Sequence, residues 1–448
     1  MFKYIVILLI VGISVWRYNT CIRKNNNPNF LLLSTLIQLI PLSGIILKLG
    51  SIKTNFGILS GAMDSFYAID ALWLIAIILF LFHPHKNNTL YIKNSTNRHV
   101  FCVFILLEFI SLINPFNTLH FSGLPIFFRV LQLFVFLQLI SKYLTIELVL
   151  KGLYDGFKWA IGLQFVLTTL FPVLHISIVN SLFNDNISDW AYRRGTPSAI
   201  GTFMHPGALA LFCCMAAMFF LSCYLNKYKI ADAKLRILMC LYIVFFTYSR
   251  TSYLTILGTL LFVYVVYKNR VNFKIQSLFI FGIGVALFFV ILNFTPLSDL
   301  FFKSDIDVQV ENRMLHYLLA LGCFQESPLI GVGLNSHVHF MYNYLQLSGI
   351  RQHINDFFIT NPVHNSHLIV LAETGAIGFI LWCYYFISRI FLSFKYCVNK
   401  IISINIINLA FAGILIVYIL YGMTGWSCFH REIYPIPIII GFFSLLKK

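Results

Sequence analysis

The sequence predicts an all-α integral membrane protein of about 12 to 13 transmembrane helices, with a long outer loop that carries short helices of its own. Three observations predict it. Hydrophobic residues make up 59% of the 448 residues and charged residues only 11%. Apolar runs of about 15 to 22 residues recur along the chain, near the ~20 that cross a hydrocarbon core. The polar stretches between most of these runs are too short to form a separate soluble unit, so the chain reads as a single membrane domain.

The runs fall in order at Phe2 to Trp16, Phe30 to Leu47, Phe66 to Phe82, His99 to Ile113, Leu124 to Ile140, Phe157 to Leu174, Pro206 to Leu225, Ile237 to Tyr248, Ser252 to Tyr267, Ile275 to Leu292, His367 to Ile387, Ile401 to Tyr421 and Tyr434 to Leu446. The first resembles the apolar core of a signal peptide. It has one flanking Lys3, no small-residue cleavage site, and ends in Trp16-Arg17, so it is read as a retained helix. The second and fifth carry Pro41 and Arg129, and the eighth is short. Between the tenth and eleventh, Val308 to Phe324 reads as a helix with apolar residues at Val310, Met314, Leu318 and Leu321, ended by Ser327-Pro328. Four segments result: N-terminal transmembrane helices over 1–174, central helices with a first outer segment over 175–293, a long outer loop over 294–366, and C-terminal helices over 367–448.

A net charge of +16 could indicate nucleic acid, but the basic residues are scattered among the loops and form no stripe. Orientation explains them. Loops on the side of Lys448 hold basic groups such as Arg23, Lys24, Lys86, Arg98, Lys227, Lys229, Arg270 and Lys400, whereas the two long connections opposite are poor in them. Positive-inside bias puts Lys448 in the cytoplasm and the long connections outside. The ten cysteines contain no C-x-x-C pair and are expected to be small apolar packing residues. Gly331-Val332-Gly333 lacks the third glycine and preceding strand of a dinucleotide loop, and is read as a turn.

The outer segments hold the chemistry-bearing side chains. From His175 to His205 the chain is basic and aromatic, with Trp190, Tyr192, Arg193 and Arg194 followed by Gly201-Thr202-Phe203-Met204-His205-Pro206 at a helix start. Aromatic faces and guanidinium groups suit a glycan phosphate; an interfacial belt with snorkelling arginines is the alternative. Thr247-Tyr248-Ser249-Arg250-Thr251-Ser252 joins two spans with almost no loop. Neither neighbouring span offers Arg250 an acid, so a bound phosphate is a fitting partner, with snorkelling the alternative. Arg313 and His316, three apart, share a helix face. Asp305-Ile306-Asp307 and the histidines His337, His339 and His353 raise a metal site, but loop solvation is the preferred reading and no metal is expected. His364-Asn365-Ser366-His367 stands at the outer mouth of the eleventh span, with Gly375 and Gly378 further along for close packing and Glu373 on the same helix.

The ordered set of Arg-Gly, Gly-Thr-Phe-x-His-Pro, Tyr-Ser-Arg-Thr-Ser, Glu-Asn-Arg with a following Pro-Leu-Ile-Gly-Val-Gly, and His-Asn-x9-Gly-x-x-Gly resembles the O-antigen ligase and polymerase superfamily of bacterial inner membranes. It covers Arg194 to Trp382. The resemblance implies a multi-spanning enzyme of the inner membrane that transfers glycans from undecaprenyl diphosphate at the periplasmic face, to another lipid-linked repeat unit or to lipid A core sugar. It implies catalytic roles for Arg250, Arg313 and His364. Arg194, Arg193, His205, His367 and Trp190 are then candidates to bind substrate. The implied partners are an undecaprenyl-diphosphate-linked oligosaccharide, an acceptor glycan, the bilayer, and chain-length regulator and flippase proteins, with no cofactor and no nucleic acid. Polymerase is preferred to ligase and to protein O-oligosaccharyltransferase. A flippase or secondary transporter stays open as a second class, although internal repeats and midplane charges are not evident.

Overall fold

Helices dominate the computed structural model, which describes residues 2–24, 26–45, 48–51, 65–67, 95–117, 123–176, 192–193, 196–203, 205–268, 306–347, 362–425, 428 and 433–445. In chain order they are α1 (Phe2–Arg23), α2 (Phe30–Leu39) running into a 3-10 turn (Ile40–Ile45), α3 (Ser95–Ile113), α4 (Leu124–Ser141), α5 (Ile146–Thr168) continued by a π turn (Thr169–Val173), α6 (Pro206–Leu225), α7 (Ile230–Phe246), α8 (Arg250–Lys268), α9 (Ile306–Glu326), α10 (His337–Leu347), α11 (Ser366–Tyr396), α12 (Ile402–Gly422) and α13 (Pro435–Phe442). Two small antiparallel pairs complete them: β1 (Lys48–Ser51) with β2 (Ser65–Tyr67), and β3 (Tyr192–Arg193) with β4 (Thr196–Pro197).

Among the described residues six helices are long and apolar enough to cross a membrane, namely α1, α5 with its π turn, α6, α8, α11 and α12. The protein is an all-α membrane protein. Of the span expected at Phe66 to Phe82, the described residues Phe66 and Tyr67 belong to β2 and the rest lies outside the described residues, as does the whole span expected at Ile275 to Leu292.

At the centre stand α6 and α12, packed on each other, with 89% of the spanning window of each buried. Helix α6 is apolar on every face, which suits a helix surrounded by others. Its Ala208, Ala210, Ala216 and Ala217 keep it slim, and small residues let backbones approach where burial of apolar surface gives no drive. Around the pair lie α5, α7, α8 and α11, while α2 packs on α5 and α1 on α2. Cys213, Cys214 and Cys240 are buried and unbridged, consistent with packing.

Helix α7 starts at Ile230, earlier than the span expected from Ile237. Its first turns carry polar residues that read as loop, but Asp232 gathers them: Tyr154 Oη donates to Asp232 at 2.8 Å, and Arg236 and Lys158 lie 3.2 and 3.5 Å from its carboxylate. Neutralised in this way, the turns extend the helix without leaving lone charges on it.

Candidate active site

The site is built at the start of α11. Asn365 caps that helix, its Oδ1 accepting from the backbone N–H of His367 at 2.9 Å and Leu368 at 3.1 Å. Ser366 anchors the same turn to the end of α12 by donating from Oγ to the Gly425 carbonyl at 2.7 Å. His364, half-buried, stands just before this cap. Facing it from α9 is His316, only 2% exposed. The two Nδ1 atoms are 3.3 Å apart, and the rings lie nearly parallel, 12° between planes with centroids 5.2 Å apart. Arg313 lies on α9 three residues before His316.

Arg250 reaches the same end of the bundle by a sharp corner. Helix α7 ends at Phe246, Thr247 Oγ1 donates to the Val244 carbonyl at 2.7 Å, and Tyr248 takes a left-handed conformation with φ of 50°. The chain reverses and Arg250 becomes the first residue of α8, half-buried. Its neighbour Thr251 bonds Thr424, hydroxyl to hydroxyl, at 2.8 Å. The adjoining Met423 carbonyl accepts from Asn365 Nδ2 at 3.1 Å and from Tyr317 Oη at 3.4 Å. One run of hydrogen bonds thus ties the start of α8, the end of α12, the start of α11 and the His316 turn of α9.

The remaining candidates differ. In His367 both ring nitrogens are used: Nε2 donates to the Ile419 carbonyl at 2.9 Å, and Nδ1 accepts from Trp382 Nε1 at 3.1 Å. With its lone pair taken, this ring braces α11 against α12. His205 caps α6, its Nδ1 accepting from the N–H of Gly207 at 3.1 Å and Ala208 at 3.3 Å. Tyr421 Oη donates to the Gly207 carbonyl at 2.8 Å, so the start of α6 meets the end of α12 as well. The turn before it is held by Thr202, whose Oγ1 donates to the Pro41 carbonyl at 2.6 Å and whose N–H donates to Gln164 Oε1 at 3.0 Å. Arg193 lies on β3, paired by backbone with Thr196. Trp190, Arg194, Asp305 and His353 lie outside the described residues.

Behind the site, α11 is broken. Gly375 has φ of 62° and ψ of −166°, and the segment Pro328 to Gly333 docks into the break. Val332 and Gly333 donate N–H to the carbonyls of Ala372 and Glu373 at 2.9 and 3.0 Å, while Ala376 and Ile377 donate to Pro328 and Leu329 at 2.8 and 3.2 Å. The backbone groups that the break would orphan are thereby satisfied, the condition for an interrupted helix in an apolar bundle. Of the two glycines expected to ease helix packing, Gly375 therefore serves a loop-to-helix joint, while Gly378 lies against the Thr374 side chain of its own helix. His337, expected in a solvated loop, is 5% exposed on α10, and its Nδ1 lies 2.6 Å from Glu373 Oε1. His339 is 9% exposed, and burial holds its ring below the usual imidazole range. Among the described residues no three His, Cys, Asp or Glu side chains are grouped to hold a metal ion.

Sequence reading passed over two residues. His316 was seen to share a face with Arg313, but nothing in the spacing says that this face meets His364. The partner of Glu373 was equally hidden, although the Gly-Val-Gly turn and Gly375 were visible signals of a backbone-to-backbone contact.

No curated protein matches the chain. Residues 235–383, from within α7 to within α11, match the family model described as O-antigen ligase. Arg250, Arg313 and His364 fall inside the matched segment, and Trp190, Arg193, Arg194 and His205 outside it. Through that segment, about a third of the chain, with its ordered Tyr-Ser-Arg-Thr-Ser, Glu-Asn-Arg and His-Asn motifs, this multi-pass membrane protein is similar to the O-antigen ligase family.

Proposed function

We propose that this protein polymerises undecaprenyl-diphosphate-linked oligosaccharide repeat units at the periplasmic face of the bacterial inner membrane. The observation that carries the reading is the run of hydrogen bonds joining the turn after Arg250, the His316 turn of α9 and the cap after His364. Transfer from a lipid diphosphate breaks an anomeric carbon–oxygen bond, and negative charge builds on the departing diphosphate. Guanidinium groups of Arg250 and Arg313 stabilise that charge without a metal. The incoming sugar hydroxyl loses its proton to His364; an imidazole with an ordinary pKa of ~6.5 can take it near neutrality. Diphosphate is a good leaving group, so no acid need protonate it, and direct attack inverts the anomeric centre. Arg193, Arg194, Trp190 and His205 are assigned to the glycan, and chain-length regulator and flippase proteins are the expected companions.

A second reading is O-antigen ligase, favoured by the description of the matched family. Deleting the gene in its host separates the two on a gel of surface polysaccharide. Single repeat units on lipid A core mean polymerase. Bare core with accumulated long lipid-linked chains means ligase, and loss of outward-facing lipid-linked units means a flippase.

A further inference from the structure

We infer, resting on the proposed role of His364 as base, that His316 is the positioning residue that holds the His364 ring in its proton-accepting form. Each neutral imidazole carries a single ring proton, so the 3.3 Å contact between Nδ1 of His316 and Nδ1 of His364 takes one proton between two nitrogens. Exposure decides which ring faces the sugar. His316 is 2% exposed, whereas His364 is half-buried at the mouth of α11. With the shared proton on His364, its Nε2 carries the lone pair, and His316 is the acceptor behind it.

The arrangement also supports the reaction. As the acceptor hydroxyl oxygen bonds to the anomeric carbon, the bond from that carbon to the diphosphate oxygen breaks and its electron pair leaves on the lipid diphosphate. The hydroxyl proton rests on Nε2 of His364 until water removes it. His364 is then an imidazolium whose Nδ1–H still donates to His316, and a charge-assisted bond is stronger than the neutral one it replaces. His316 never touches substrate. Its own position is set by α9, which Tyr317 Oη pins to the Met423 carbonyl at 3.4 Å and which packs on α11 through buried Ala320, Cys323, Ile369 and Ala372.

Two substitutions isolate the bond. His316→Phe keeps a ring of similar width and deletes the acceptor; His316→Asn keeps an acceptor near the Nδ1 position. Each is purified in detergent and assayed on lipid-linked glycan extracted from the deletion host, beside His364→Ala. His316→Phe is expected to lose on the order of tenfold to a hundredfold in kcat with KM nearly unchanged, less than the 10² to 10⁴ of a lost base. His316→Asn is expected to recover most of it. If His364→Ala still transfers glycan, the functional reading fails. If His364→Ala is inactive while His316→Phe keeps wild-type kcat, or His316→Asn is as impaired as His316→Phe, only the role of His316 is lost. Should His316→Phe not fold, nitrogen-15 shifts of histidine-labelled wild-type protein decide, with His364→Ala to assign them. A lone pair on Nε2 of His364 is expected, and one on its Nδ1 overturns the inference.

Discussion

The Nδ1 atom of His337 lies 2.6 Å from Oε1 of Glu373, joining the first turn of α10 to the last turn of α11 before its break. Both side chains are buried, and the contact sits directly beneath the loop from Pro328 to Gly333. Removing one partner leaves the other buried and unpaired. Glu373→Ala is therefore expected to cost about 1 to 3 kcal/mol, and Glu373→Gln, which keeps an acceptor, clearly less. Thermal unfolding in detergent measures both; equal losses would mean that the acceptor is not what holds His337.

Gly331 and Gly375 each lie against the backbone of the opposite segment of the joint. Both have positive φ, 70° and 62°, and a Cβ on either would collide with the opposite strand of the joint, Glu373 for Gly331 and Leu329 for Gly375. Gly331→Ala and Gly375→Ala should each cost at least about 1 to 3 kcal/mol from backbone strain alone. Gly258 on α8 is the control: nothing lies within 4 Å of its missing Cβ. Gly258→Ala should gain roughly 0.5 to 1 kcal/mol from helix propensity. A joint that tolerates alanine as well as Gly258 does would not be the close contact described.

His364 and His367 separate by their partners. His364→Ala should abolish glycan transfer while the protein still elutes as folded, and Arg313→Ala should do the same. His367→Phe loses the bonds to the Ile419 carbonyl and from Trp382. It should lower the melting temperature yet keep kcat per folded molecule. Loss of kcat in His367→Phe at unchanged stability would move the base from His364 to His367.

Cys323 on α9 is 2% exposed, and burial first, then the charge of Glu373, pushes its thiol up to about 12. A thiol raised in the folded state contributes nothing at neutral pH and loses stability only as pH rises from the ordinary thiol range towards 12. In the folded protein at pH about 8, Cys323 should resist alkylation by maleimide, since the thiolate reacts. Mass spectrometry before and after denaturation checks this. Rapid labelling of the folded protein would mean that α9 is not packed on α11 as described.

Composition and apolar periodicity were enough to place this chain in a membrane as a helical bundle, because hydrocarbon leaves a spanning backbone few options beyond satisfying itself within each helix. The helix ended by Ser327-Pro328, the start at Pro206 and the corner at Arg250 were legible for a similar reason, since each is a local matter of backbone geometry. Contacts between distant segments were not. That His316 meets His364, that Glu373 is matched by His337 and that His367 spends both nitrogens on α11 and α12 depend on how helices pack, and no local spacing encodes a partner 36 to 52 residues away. The glycines mark the boundary between the two kinds of information. Gly375 announced a close approach, but only the packed bundle revealed that a loop, seeking partners for its own backbone, was what approached.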